Sequence, residues 1–253
     1  MTTWVVLHRL PLTYAQRGPC LIVTANDVAL YDHDVASGQS NVKIVQGMTL
    51  CEGVLLRGLL VHSAGDYAQL LASLMGLNES QFVAIMNRDA AALGLRHTHY
   101  ADYTGISPGN VSTALEQAIL AVDLMANEPI VRSIVALTQV ALPVAGVVTS
   151  YTPDIGQYGV IGVKSGFTNP AGGCDVMAIN VTINNTVITT YAVVLGQHGA
   201  NPLALAGQAA LTLSRRLRSS LRVVATPSGR SVTWAGWRGD LATPSTPAIA
   251  KAP

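Results

Sequence analysis

The segment GVIGVKSGFTNPAGGC, residues 159–174, decides the fold prediction. Residues 158–163 are largely small or β-branched and predict a strand that ends at the polar tripeptide Lys164-Ser165-Gly166. Taken alone, the tripeptide favours an ordinary exposed lysine at the end of a strand.

The sequence that follows predicts an antiparallel sheet. Residues 175–183 and 186–195 form two strand-like runs, and Asn184-Asn185 between them predicts a hairpin turn. Residues 203–218 are rich in Ala and Leu and predict a helix. The tail has strand-like fragments from residue 221, and its Pro/Ala/Thr-rich end, 242–253, is predicted to be disordered.

The sequence before it is mostly helical, from about residue 50 to 138. One helix is predicted to begin at Asn78, another behind a capping box of Thr113 and Glu116, and a third at Pro129. The predicted apolar face of the first consists of Phe82, Ile85, Met86 and Ala90. Residues 20–46 read as short β-like runs, and residues 1–9 as an apolar segment without an N-cap. This order predicts an α+β domain with helices packed on an antiparallel sheet.

Composition excludes several classes of function. The net charge of +1 gives no electrostatic basis for binding nucleic acid or an anionic membrane surface. No run of 18 apolar residues predicts a transmembrane segment, and the first residues do not resemble a secretory signal. The cysteines, Cys20, Cys51 and Cys174, are odd in number and lack metal-ligand spacing, so we expect three small buried apolar residues rather than a disulfide or a zinc site.

Two further polar segments contain candidate functional residues. Ser63 lies in a short loop between two predicted helices, where it reads equally well as a helix-capping serine and as a catalytic residue. His97 and His99 are two positions apart, but no further ligand joins them, so structural roles are expected and no metal is predicted.

Several ordered segments together resemble a known family. They are LIVTANDVALYDHDVA, LLRGLLVHSAGDYAQLLA, FVAIMNRDAAALGLRHTHYADYTGI, NVSTALEQ, GVIGVKSGFTNPAGGC and VVLGQ. Between Val23 and His198 the chain is similar to serine D-alanyl-D-alanine carboxypeptidases of the low-molecular-weight penicillin-binding family. This resemblance implies a penicillin-binding, β-lactamase-like α+β fold and removal of the terminal D-Ala from peptidoglycan stem peptides through an acyl-serine intermediate.

The resemblance also implies roles for residues of this chain. Ser63 would shuttle protons as the serine of the family's S-x-N element, and Lys164 and Ser165 would bind the substrate carboxylate. Gly166 would let the peptide approach, and the backbone N–H of Phe167 would supply half of the oxyanion hole. The implied partners are peptidoglycan stem peptides and β-lactams, the implied location is extracytoplasmic, and no cofactor is expected.

Two departures from the family pattern put activity in doubt. Residues 1–7 resemble the stretch that follows the family's S-x-x-K nucleophile, so we expect the chain to begin just after that motif. The one literal S-x-x-K, Ser40 to Lys43, lies in sequence that does not predict a helix, and we do not expect it to act as the nucleophile. Gly65 occupies the position of the asparagine of S-x-N.

The sequence therefore predicts an inactive member of an enzyme family. The expected organisation is a penicillin-binding domain over 1–218 and an extension over 219–253, which could begin a small β-domain. The alternatives are a non-catalytic peptidoglycan- or β-lactam-binding paralogue or fragment and, ranked last, another acyl-serine hydrolase.

Overall fold

The computed structural model describes residues 1–226, 229–234 and 237–240, and these form helices around a central antiparallel sheet. The helices in this part of the chain are α1 Thr2–Arg9, α2 Ala25–Ala36, α3 Glu52–His62, α4 Gly65–Leu74, α5 Glu79–Ala92, α6 Ala114–Asn127, α7 Pro129–Val135 and α8 Pro202–Ser220. The strands are β1 Cys20–Ile22, β2 Thr49–Cys51, β3 Gln139–Leu142, β4 Gly146–Thr149, β5 Val160–Thr168, β6 Gly172–Ile183, β7 Thr186–Gln197, β8 Arg222–Thr226, β9 Gly229–Trp234 and β10 Trp237–Asp240. The predicted α+β class is confirmed.

The central sheet has the order β5-β6-β7, and both pairings are antiparallel. Asn184 and Asn185 form the β6–β7 turn with φ angles of 47° and 60°, the left-handed conformation that a two-residue type I′ hairpin turn requires. The predicted hairpin is confirmed. The predicted strand end at Val163 is wrong, because β5 continues through Lys164-Ser165-Gly166 to Thr168.

Helices cover the sheet on both faces, which places hydrophobic cores on either side of it. The larger core joins α1 and α3–α7 to the sheet and includes Val5, Leu56, Tyr67, Phe82, Ile134, Val163 and Ala178. The smaller core lies under α8 and includes Val160, Met177, Ile179, Val181, Val194, Ala210 and Leu211. A three-layer arrangement of this kind holds β5 against the helical part of the molecule.

The predicted helix starts are observed. The side chain of Asn78 accepts a hydrogen bond from the backbone N–H of Gln81, 2.9 Å away, and Thr113 does the same for Glu116, 3.2 Å away. Pro129 is the first residue of α7. The Thr113–Glu116 box is only half formed, because the Glu116 carboxylate turns to the backbone and ring of His97.

The β-like prediction for residues 20–46 is wrong over α2. Thr24 and Asp27 form a reciprocal capping box, in which the Thr24 hydroxyl accepts from the Asp27 N–H and the Asp27 carboxylate accepts from the Thr24 N–H. A capping box satisfies free N–H groups in the first turn of a helix. It therefore favours a helix here over the strand that the short apolar alternation downstream suggests. Of this segment, only Cys20–Ile22 is a strand.

The prediction of three unpaired buried cysteines is also wrong. Cys20 and Cys51 are direct partners in the β1–β2 ladder, and their sulfur atoms are bonded at 2.05 Å. Cys51 is buried, whereas Cys20 is exposed and Cys174 is half-buried with a free thiol. The pairing brings together two three-residue strands that lie 31 positions apart, a contact that cysteine counting does not reveal.

The tail forms a small three-stranded antiparallel sheet in the order β10-β9-β8, so its strand-like fragments are strands. The predicted disorder of 242–253 lies outside the described residues, and the domain boundary at 218/219 stays a prediction. Across the described part of the chain, no helix combines the length and apolar character needed to cross a membrane.

Candidate active site

The site lies along the outer edge of β5, which among the described strands pairs only with β6. Gly166 is exposed, and a Cβ atom added to it would meet no other atom within 4 Å. Phe167, the next residue, is 47% exposed. This part of β5 therefore offers an unobstructed edge on which an extended peptide could pair.

The loop after α3 forms the opposite wall. A Cβ atom at Gly58 would lie 2.4 Å from the Tyr67 ring, so glycine allows α3 and α4 to pack closely. The connection between the two helices is correspondingly tight, and Ser63 adopts the left-handed conformation, with φ 56° and ψ 36°. A non-glycine residue in this conformation is strained, and such strain often accompanies a functional constraint.

Lys164, on β5, contacts Ser63 in the loop after α3. Its ammonium donates hydrogen bonds to the hydroxyl of Ser63 and to the backbone carbonyl of Ser165. Burial lowers the pKa of Lys164 to about 8, while the nearby carboxylate of Asp175 acts in the opposite direction. The predicted lysine and serine thus lie together, and the lysine is close to its titration range at neutral pH.

Ser165 has a different environment from Lys164. It is 4% exposed, and its hydroxyl donates to the carbonyl of Tyr151 at 2.9 Å. The backbone N–H of Tyr151 in turn donates to the carbonyl of Val61 in α3, 3.3 Å away. Tyr151 therefore connects the helical wall to β5 through its own backbone.

An aromatic pair that the sequence did not point to lies at the mouth of the site. The rings of His62 and Tyr151 stack with their centroids 4.6 Å apart, and Nδ1 of His62 lies 2.9 Å from the carbonyl oxygen of Thr149. Tyr151 is 41% exposed. No motif marks these residues, because they meet only through the packing of α3 against the β3–β4 hairpin.

The segment around Ser40 borders the site through its backbone. The N–H of Gly65 donates to the carbonyl of Ser40 at 2.9 Å, and the N–H of Asp66 donates to Oδ1 of Asn41 at 3.0 Å. Residues 40–43 are not helical, in agreement with the sequence prediction. A Cβ atom at Gly65 would have Asn41 Oδ1 at 3.6 Å and Thr104 Cγ2 at 3.7 Å, so these side chains pack around the glycine.

The two histidines singled out by the sequence lie away from this site. His97 places its Nδ1 2.8 Å from the Glu116 carboxylate, and His99 pairs with Val111 through their backbones. Among the described residues, no three His, Cys, Asp or Glu side chains are arranged to hold a metal ion.

Taken together, the site has an ammonium, a serine hydroxyl and an open strand edge, and these can bind the carboxylate end of an extended peptide.

Solved structures with the same architecture belong to the penicillin-binding class. The DD-transpeptidase of Streptomyces K15 superposes with a TM-score of 0.68 and 22% identity, over 85% of this chain and 83% of that one. A D-alanyl-D-alanine carboxypeptidase of Mycobacterium tuberculosis superposes with a TM-score of 0.66 and 26% identity, over 83% and 76% of the two chains. The fold is therefore the penicillin-binding α+β fold.

The family is defined by sequence. The sequence of residues 1–199 matches the sequence model of the D-alanyl-D-alanine carboxypeptidase family, and the chain belongs to that family. A D-alanyl-D-alanine carboxypeptidase of Bacillus subtilis is 29% identical over 112 residues, which are 44% of this chain. The match spans only 29% of the length of that relative.

Proposed function

We propose that this chain binds the C-terminal D-alanyl-D-alanine end of peptidoglycan stem peptides, and β-lactams, along the open edge of β5. The observation that carries the proposal is the Lys164 ammonium, which contacts the Ser63 hydroxyl beside that edge. A charge-assisted hydrogen bond to a half-buried ammonium is a strong recognition element for a peptide carboxylate.

Each predicted site residue has a part in this proposal. The peptide pairs with β5, and the absence of a side chain at Gly166 leaves room for its backbone. Lys164 binds the carboxylate. Ser165 also donates a hydrogen bond to the carboxylate, once its hydroxyl has rotated away from the Tyr151 carbonyl. The N–H of Phe167 supplies half of an oxyanion hole, and Ser63, which accepts its hydrogen bond from Lys164, relays protons.

We further propose that residues 1–253 form no acyl-serine intermediate by themselves. The family reaction needs a serine and a lysine on one face of a helix, and the Ser40–Lys43 segment is not helical. Gly65 also lacks the side-chain carboxamide that asparagine has at this position of the family pattern. The chain then acts as a binding module of the family, which is the alternative that this local structure favours.

The Cys20–Cys51 disulfide supports an extracytoplasmic location, because such bonds form and persist in oxidising compartments. Peptidoglycan is accessible in the same compartment. The proposed place of action is therefore the cell envelope.

The experiment measures binding and acylation separately. Calorimetry with N-acetyl-D-alanyl-D-alanine tests reversible binding, and the same dipeptide with a C-terminal amide tests the need for a carboxylate. Lys164→Ala should weaken binding about 10-fold or more, the size expected for one charge-assisted hydrogen bond. Lys43→Ala, which removes an exposed lysine, is the matched control and should bind like the wild type.

A fluorescent penicillin then tests acylation. We expect no covalent labelling of the wild-type chain at saturating concentration. Covalent labelling would contradict the proposed inactivity, and peptide mapping of the label to Ser40 would identify that serine as the nucleophile. Equal affinity for the acid and the amide would contradict the proposed binding mode.

A further inference from the structure

A buried acidic residue, Asp175, lies directly across the β5–β6 ladder from Ser165. Its side chain is completely buried, and within the described residues neither carboxylate oxygen accepts a hydrogen bond of ordinary geometry. The following residues of β6, Val176 and Met177, are apolar, and no other residue of that strand is charged. A carboxylate left without a partner in this environment costs free energy, so its presence needs an explanation.

Among the described residues, two charged groups act on Asp175. On β5 the one charged residue is Lys164, whereas β7, which pairs with β6 on the other side, has none. Asp154, in the segment before β5, adds a second negative charge nearby. Burial raises the pKa of Asp175 to about 7, an effect that Asp154 reinforces and that Lys164 and, more weakly, the backbone N–H of Val176 oppose.

Helix α8 covers this part of the sheet but brings no basic group to it. A Cβ atom at Gly173 would lie 2.0 Å from the carbonyl oxygen of Pro202, so the first turn of α8 packs directly on β6 near Asp175. The arginines of α8 are Arg215, Arg216 and Arg218. They begin 13 residues after Pro202, which at 1.5 Å per residue is about 20 Å along the helix.

We propose that Asp175 is a positioning residue that acts through Lys164. Its buried carboxylate, once ionised, is the counter-charge that keeps the Lys164 ammonium protonated and sets the upper end of the pH range in which the β5 edge accepts a carboxylate. The two side chains are not in contact, since Lys164 forms no ion pair within 4 Å among the described residues. Their coupling acts through the low-dielectric sheet interior, where charges interact more strongly than in water.

The expected pH dependence follows from the order of the two titrations. Below about pH 7 Asp175 is neutral and Lys164 carries its full charge toward a ligand. Above about pH 7 the Asp175 carboxylate is ionised and its negative charge holds the proton on Lys164, which the lysine loses above about pH 8. Affinity for a carboxylate ligand should therefore persist to about pH 8 and fall above it.

The decisive measurement is the titration of Lys164 in the full chain, labelled with ¹³C at lysine only. The chain has three lysines, Lys43, Lys164 and Lys251, so three Cε resonances are expected, and Lys164→Arg identifies the one of interest. Asp175→Asn should move the midpoint of the Lys164 titration to lower pH by about one unit, because it removes an opposite charge. The matched control is Glu52→Gln, which alters another fully buried carboxylate without a partner, and it should leave the Lys164 midpoint unchanged.

An unchanged Lys164 midpoint in Asp175→Asn, or an equal shift in Glu52→Gln, would overturn the proposal. Should Asp175→Asn fail to fold, Lys164→Met gives the reciprocal test, because coupling between two sites is mutual. In that variant the Asp175 carboxyl should titrate at higher pH than in the wild type, and an unshifted titration would again overturn the proposal.

The ligand part of the inference rests on the proposed function and has its own readout. The affinity for N-acetyl-D-alanyl-D-alanine, measured from pH 6 to 9, should begin to fall at lower pH in Asp175→Asn than in the wild type. A wild-type chain that binds no ligand at any pH would contradict the proposed function, whereas the lysine titration would still decide the role of Asp175.

Discussion

The side-chain ammonium of Lys164 donates a hydrogen bond to the hydroxyl of Ser63, although the two residues are 101 positions apart in the chain. Ser63 ends a helix in the helical part of the molecule, and Lys164 lies on the edge strand of the sheet. The backbone of Tyr151 links the same two elements, because it bonds to Val61 on one side and to Ser165 on the other. The site is thus defined by the packing of two layers and not by any one loop.

The left-handed conformation of Ser63 predicts a difference between two substitutions that both remove its hydroxyl. Ser63→Gly should be more stable than Ser63→Ala by about 1 kcal/mol, because a side chain in this conformation is strained and glycine is not. The free energy of unfolding in urea measures the difference. Equal stabilities would show that Ser63 carries no backbone strain.

The disulfide predicts a large stability effect confined to two of the three cysteines. The Cys20→Ser/Cys51→Ser double variant should lose about 3–4 kcal/mol, since it opens a covalent loop with a sequence separation of 31. Cys174→Ser, which alters the free thiol, is the control and should change stability by less than about 0.5 kcal/mol. Thiol titration should find one reactive group in the denatured, unreduced protein and three after reduction, and three before reduction would contradict the pairing.

The buried carboxylate of Glu52 predicts a pH-dependent contribution to stability. Burial raises the pKa of Glu52 to about 7 from an ordinary value of 4.5, so between these values the folded chain holds a proton that the unfolded chain releases. Stability must therefore fall as the pH rises from 4.5 to 7, by on the order of 3 kcal/mol for this group. Glu52→Gln should remove that part of the fall, which urea denaturation at pH 5 and pH 8 would measure.

A matched control for Glu52 is Asp32→Asn, which alters an exposed carboxylate on α2. Its pH dependence of stability should follow that of the wild type. If Glu52→Gln also follows the wild type at both pH values, the folded chain does not retain the extra proton on Glu52.

The β6–β7 turn predicts which residues can replace Asn185. Its φ of 60° disfavours a β-branched residue, so Asn185→Val should cost about 1–2 kcal/mol, whereas Asn185→Gly should be neutral or stabilising. Val187→Thr, at a position that is 62% exposed near the start of β7, is the control and should stay within about 0.5 kcal/mol of the wild type. Thermal or urea unfolding measures all three, and a harmless Asn185→Val would contradict the turn geometry.

Local patterns predicted much of this fold and failed where a stronger local signal competed or where partners were distant. The hairpin around Asn184-Asn185 and the helix that begins at Asn78 followed from turn and capping chemistry within four residues. Residues 25–36 form a helix and not the predicted β-like runs, because the capping box of Thr24 and Asp27 is a stronger local signal than the short apolar alternation. Asp175 carried a usable signal, an acidic residue inside an apolar strand, but its proximity to Lys164 needed the β5–β6 register.

By itself, the sequence determined the α+β class, the family and the segments that contain Ser63 and Lys164-Ser165-Gly166. Periodicity, capping and turn formation depend on neighbours a few residues apart, and family motifs are recognised in one dimension. Only the tertiary structure decided that Cys20 bonds to Cys51, that Lys164 contacts Ser63 and that Asp175 is buried beside them. Each of these contacts depends on how strands and helices pack, because that packing sets the distance between groups that the chain itself separates.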